Sequence, residues 1–255
     1  DGVLGLAALE GSVAGNAVSG TAEVRSENGR PLLTGNLEST ALSLDWLAGL
    51  LLGSDSVALA GTKEWADIPF SSQGQIPFDA RLALEAGSVV LSRSGPLRDA
   101  KMRLTVEQGR VRVSDVEAIF ADGRISGLVE MANASGSATM STQLKLSGVK
   151  IGTLFPDHGA EGVLDVSANI AGNGKTPSAF LASLSGSGTA KARDVVLSGL
   201  DAKAYSAIVR EADKLGPDID AATVARFAIP ILKEGRLVID EADFAEAQSV
   251  SFFEA

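Results

Sequence analysis

The chain has 255 residues, a net charge of −10, a hydrophobic fraction of 45% and no cysteine. The acidic balance argues against nucleic acid, whose phosphates need basic patches, and disfavours docking on an anionic membrane surface. Without cysteine there are no disulfides and no thiolate metal sites, which suits either the cytosol or a periplasm.

The chain opens on Asp1 rather than methionine and stops just after Phe252-Phe253, as expected of a piece of a longer protein. Residues 12–44 read as strands broken by Asn28-Gly29, a good hairpin turn. Asp45 is placed to cap a short helix over 46–52, whose greasy run falls far short of the ~20 residues that span a bilayer. Residues 53–78 look irregular, with Trp65, Pro69, Phe70, Pro77 and Phe78 as anchors.

From Asp79 to Ile170 the chain is apolar at every second residue. In one segment Ala100, Met102, Leu104 and Val106 alternate with Asp99, Lys101, Arg103, Thr105 and Glu107. That period marks a strand with one dry and one wet face. Arg110 and Arg112, like Lys101 and Arg103, fall on the wet face. Turns are expected at Ala86-Gly87, Ser94-Gly95-Pro96, Gln108-Gly109, Asp122-Gly123 and Ser135-Gly136, the spacing of an up-and-down meander. Aromatic residues are only 5%, so the apolar faces are mostly Ala, Leu and Val.

Thr176 and Pro177 open a helix over 177–184. Helices return between 200 and 230, with Ala204, Ile208, Ala212 and Leu215 on one stripe. Val224, Phe227 and Ala228 follow Asp220 as cap, and Pro230 is expected to end or kink that helix. A last strand is expected over 235–239. A faint echo recurs: a strand runs into a short helix near Leu44–Leu47, at Ile151–Leu154 and near Leu200–Tyr205. The prediction is a mainly β protein, one long antiparallel sheet, with helices mostly near 45–52, 177–184 and 200–230. It is expected to be one elongated region with sub-modules 1–60, 61–197 and 198–255.

Several stretches resemble a known family in their order. They are Trp65–Phe70, Ala121–Gly127, Leu146–Leu154, Ile170–Gly188 and Val195–Asp201, and together they resemble the C-terminal region of the AsmA family of Gram-negative bacteria. The resemblance runs over roughly residues 30–245 and rests on their order, since each is a small-residue turn or strand. It implies a curved, open β-groove related to the TamB-type proteins. It implies a periplasmic protein tethered to the inner membrane by an N-terminal helix in a part of the chain not present here. It also implies a part in outer-membrane biogenesis and in carrying phospholipid between the two membranes. The family brings no catalytic motif, no metal and no cofactor to carry over.

Gly174-Lys175-Thr176 ends like a phosphate-binding loop, but Asn169 stands where the motif needs glycine, and a hairpin turn before a helix cap explains it better. His158 lies in the turn sequence Pro156–Gly159 without a nucleophile motif. Asp240, Glu241, Asp243 and Glu246 lack the glycine spacing of a calcium loop and read as a solvated face. A non-enzymatic lipid module is therefore expected. Its lining would be Leu82, Leu84, Met102, Leu104, Val106, Val111, Val113, Ile125, Val129, Met131, Met140, Leu144 and Leu146, with acyl chains as partner. The same residues also suit the dry core of a closed fold. The alternative function is a chaperone-like scaffold for outer-membrane protein assembly through edge-strand pairing.

Overall fold

The computed structural model describes residues 3–13, 15–43, 45–54, 67–72, 76–90, 96–156, 159–199, 204–216, 220–233 and 236–244. The expectations for Trp65, Ser94-Gly95, His158, Leu200 and Glu246 lie outside those residues. The elements run β1 (Val3–Val13), β2 (Asn16–Glu27), β3 (Arg30–Ser43), α1 (Asp45–Leu52), β4 (Asp79–Val90), β5 (Leu97–Glu107), β6 (Arg110–Phe120), β7 (Gly123–Ala134) and β8 (Ser137–Lys150). They continue α2 (Ile151–Leu154), β9 (Ala160–Gly174), α3 (Pro177–Ala182), β10 (Ser185–Ser198), α4 (Ala204–Leu215), α5 (Ala221–Lys233) and β11 (Arg236–Phe244). Among the described residues eleven strands pair in chain order in one sheet, which is not closed into a barrel.

The sheet is mostly antiparallel, as the turn spacing predicts, with one departure. β3 and β4 lie parallel, Leu33 opposite Ala80 and Leu42 opposite Val89. Parallel neighbours need a crossover rather than a hairpin, and α1 with the residues after it supplies one.

Three hairpins form where the sequence places them. Asn28-Gly29 (φ 54 and 78), Gln108-Gly109 (46 and 77) and Ser135-Gly136 (51 and 85) have both central residues left-handed, the type I′ geometry that matches strand twist. Other boundaries move. The turn expected at Asp122-Gly123 sits one residue earlier, at Ala121-Asp122, with Phe120 opposite Gly123. Asp122 tolerates positive φ, so the glycine becomes the first strand residue instead.

Ala86-Gly87 is not a turn. It lies inside β4, where Gly87 brings its backbone close to Thr40 on β3; a Cβ there would stand 2.9 Å from the Thr40 carbonyl oxygen. The first strand starts at Val3, earlier than expected, and the last runs from Arg236 to Phe244 rather than over 235–239. Pro230 does not end its helix, which continues to Lys233. Pro69 and Pro77 are exposed rather than anchoring; Phe70, Ile76 and the partly buried Phe78 fill that role.

The chain divides into two compact units. One holds Asp1–Ser147 with Val166–Thr189, and the other Gly148–Asp165 with Ala190–Phe244. The core of the first is the dry face of β3–β8, covered by Leu51, Leu52, Phe70 and Ile76. Its wet face carries cross-strand ion pairs: Lys101–Glu85 at 3.0 Å, Arg81–Glu107 at 3.1 Å, Arg103–Asp115 at 3.4 Å, and Arg112 with Glu130. All are exposed, and each is worth about 0–1 kcal/mol. They mark that face as solvated more than they hold it.

In the second unit β10 pairs β11, and Ala192, Val195 and Ala204 are buried. Ile208 and Ala212 follow Ala204 on the buried side of α4, but Leu215 is 57% exposed and leaves the expected stripe.

Candidate functional site

The dry face of the first unit is built in rows. Strand register sets Leu33, Ala80, Val106, Val111, Met131 and Met140 side by side, and Leu82, Leu104, Val113, Val129 and Thr142 in the next row. Period-two alternation supplies each row, and register aligns them. β6 slips between Val113 and Val116, with Asp115 at φ 52. The bulge returns Val116 to the dry face, where strict alternation would have turned it out.

α1 crosses this face. It follows β3 directly, and its last turn is held by β7: the Asn133 amide Nδ2 donates to the Leu51 carbonyl at 2.7 Å. The same amide donates to the Ser71 carbonyl at 2.9 Å, and the Ser71 N–H donates to the Leu52 carbonyl at 2.8 Å. Leu51 is 1% exposed and Leu52 7%. Both leucines belong to the core of this face.

Two hollows remain on the dry face. The first is about 260 Å³, and Ala48, Leu51, Val89, Leu97, Met102, Val111, Val113, Val116, Ile125, Val129, Met131 and Leu144 contribute to its lining. Among the described residues its polar lining is Ser126, Thr142 and Gln143, and none is charged. Gly127 stands opposite Leu144 and leaves room there; a Cβ at Gly127 would meet the Gln143 carbonyl oxygen at 2.3 Å. The second hollow, about 140 Å³, is lined by residues including Val18, Leu33, Leu37, Leu42, Phe78, Leu82, Leu84, Leu104 and Val106, with Glu38 and Glu85 also contributing.

The expected lining residues divide into two groups. Leu82, Met102, Leu104, Val106, Val111 and Val113 are buried. Leu84, Ile125, Val129, Met131, Met140, Leu144 and Leu146 are half-buried. Alternation along single strands did not reveal Ala48, Leu51, Val89, Leu97 or Asn133. Ala48 and Leu51 come to the face through the crossing of α1, whereas Val89, Leu97 and Asn133 belong to β4, β5 and β7 themselves.

The other motifs have local explanations. Thr176 Oγ1 accepts the Ala179 N–H at 3.1 Å, with Pro177 in the first helical turn, so Gly174-Lys175-Thr176 is a strand end and a helix cap. Asp240, Glu241 and Asp243 lie on β11, and Lys191 pairs with Glu241 at 2.5 Å and Asp243 at 3.7 Å. The hydrogen bond to Glu241 and the charges of Asp243 and Glu241 raise the Lys191 ammonium above its ordinary value. Among the described residues no group of His, Cys, Asp and Glu is placed to hold a metal ion.

Residues 7–216 match the AsmA family. The chain belongs to the AsmA family. No curated protein and no solved structure matches it. In this AsmA-family chain the matched residues take in α1, the segment beneath it and both hollows. Among the described residues no helix is long and apolar enough to cross a membrane.

Proposed function

We infer that this chain is a non-enzymatic β-groove module of a periplasmic, inner-membrane-tethered AsmA protein. In this reading it takes part in outer-membrane biogenesis by holding phospholipid acyl chains as they pass between the membranes. One observation carries the inference: among the described residues the first hollow is lined without charge, and Ile125, Val129, Met131 and Leu144 are only partly buried along it. Uncovered apolar surface costs about 25 cal/mol per Å², and a hydrocarbon chain removes it at roughly 0.8 kcal/mol per buried methylene. The smooth aliphatic lining suits a partner without polar atoms of its own.

Native mass spectrometry of the protein purified from a Gram-negative host tests the reading. Phospholipid is expected to co-purify, and Val129→Lys is expected to lose it. A wild-type protein that carries no lipid, and takes none up from added phospholipid, would sink the proposal. A second reading is favoured by β1, which among the described strands comes first in the sheet order, with Leu4 62% exposed. There an outer-membrane strand would add by main-chain pairing. Isotope-edited infrared spectra showing new intermolecular strand pairing, with no lipid bound, would favour that reading.

A further inference from the structure

The rows of the dry face run unbroken beneath both hollows. Leu82 and Leu104 line the second, and Val113 and Val129, their neighbours in the same row, line the first. Yet the two hollows share no lining residue among those described. Leu51 and Leu52 of α1 pack with Phe70 and Ile76 in the same core as these rows, and Leu51 itself lines the first hollow.

This cover is tied down at one point. The Asn133 side chain holds the Leu51 and Ser71 carbonyls with its amide nitrogen, and its Oδ1 accepts the Gly136 N–H at 2.9 Å. One amide on β7 thus grips both chain segments that cross the face. α1 has eight residues, too few for a helix to persist in water alone. Among the described residues it is held by the buried Leu51 and Leu52, by that amide and by the Ser71 N–H on the Leu52 carbonyl.

We propose that α1 is a gate on the apolar face, with Asn133 as its latch. When the latch releases, the β7 end of α1 lifts and the two hollows join into one apolar trough across β2–β8. The purpose of the gate rests on the acyl-chain reading above, whereas the latch itself does not. Passage of a chain from one hollow to the other then requires opening, so occupancy and gate position are linked.

The protein has no cysteine, so spin labels can be placed at will. Leu50→Cys on α1 is 42% exposed, and Thr139→Cys is exposed on β8. Pulsed electron resonance should give one narrow distance in this double variant. Adding Asn133→Ala should bring in a second, longer distance, and palmitate should produce that longer distance with Asn133 intact. Hydrogen exchange on the wild-type protein is the companion measurement. The Gly53 and Ser71 amides, which bond to Gly49 and Leu52, should exchange at least roughly tenfold faster than those of β5.

Two results overturn the gate: unchanged distances in Asn133→Ala, or Gly53 and Ser71 amides that open only with global unfolding. The exchange result decides alone if Asn133→Ala does not fold. If Asn133→Ala opens α1 while palmitate binds neither protein, the gate stands and the acyl-chain reading falls.

Discussion

Phe70 and Phe180 meet edge to face, with ring centroids 6.4 Å apart and planes at 79°. Phe70 belongs to the segment that follows α1, and Phe180 to α3 after β9. Beside the rings the Phe70 N–H donates to the Lys175 carbonyl at 2.8 Å. The contact fastens the cover of the dry face to the far side of the same unit.

Phe70→Ala is expected to cost about 3–5 kcal/mol, since that ring is 6% exposed and its loss leaves a cavity. Phe180→Ala should cost less, because its ring is only partly buried. Urea melts of both single variants and the double variant should give a coupling of about 0.5–1.5 kcal/mol, the usual worth of an aromatic pair beyond its area.

Met102→Asp and Val129→Lys should behave differently. Met102 is 5% exposed, so an aspartate there is a buried charge without a partner, and the thermal transition should collapse. Val129 is half-exposed along the first hollow, so a lysine ammonium can reach water. That variant should melt near the wild type but carry less phospholipid by native mass spectrometry.

Gly127→Ala should destabilise the pairing of β7 with β8. Its Cβ would fall 2.3 Å from a backbone oxygen that cannot move without breaking register. A loss of about 1–3 kcal/mol is expected in denaturant titration, the usual range for overpacking. Gly148→Ala, whose Cβ would meet nothing within 4 Å, tests the cost of positive φ alone.

Asp220 caps α5, its carboxylate accepting the Thr223 N–H at 2.7 Å. Hydrogen bonds from the Thr223 side chain and backbone hold this carboxyl below its ordinary value. A lowered carboxyl stabilises the folded state above the ordinary carboxylate range and loses that effect as pH falls through its folded value. Helix signal by circular dichroism should therefore weaken at acid pH. Asp220→Asn, which still caps, should remove this residue's share of the pH dependence.

The strands were legible because period-two alternation is strong from β4 to β9 and needs no tertiary knowledge. Asn-Gly, Gln-Gly and Ser-Gly pairs fixed three hairpins, since they readily take positive φ. Ala86-Gly87 misled because a glycine required by close approach to Thr40 looks the same in sequence as a turn glycine. The parallel pairing of β3 with β4 was hidden, as nothing local distinguishes a crossover from an irregular loop. The apolar lining was visible strand by strand. Where α1 meets it was not visible, because the contact that marks the place, the Asn133 amide on the Leu51 carbonyl, joins residues 82 apart.

The parallel join of β3 to β4 also has consequences for how the chain assembles. Neighbours such as Glu27 and Arg30 close across a two-residue turn, whereas Arg30 meets Asp79 at 3.2 Å from 49 residues away. Hairpins form early because their loops are short, and distant pairing must first overcome the entropy of a long loop. The β1–β3 and β4–β8 meanders are thus expected to form as separate nuclei, and zipping β3 onto β4 is the slow step. Until it finishes, two raw strand edges of the same nascent molecule face solvent, and each is able to capture the matching edge of another copy.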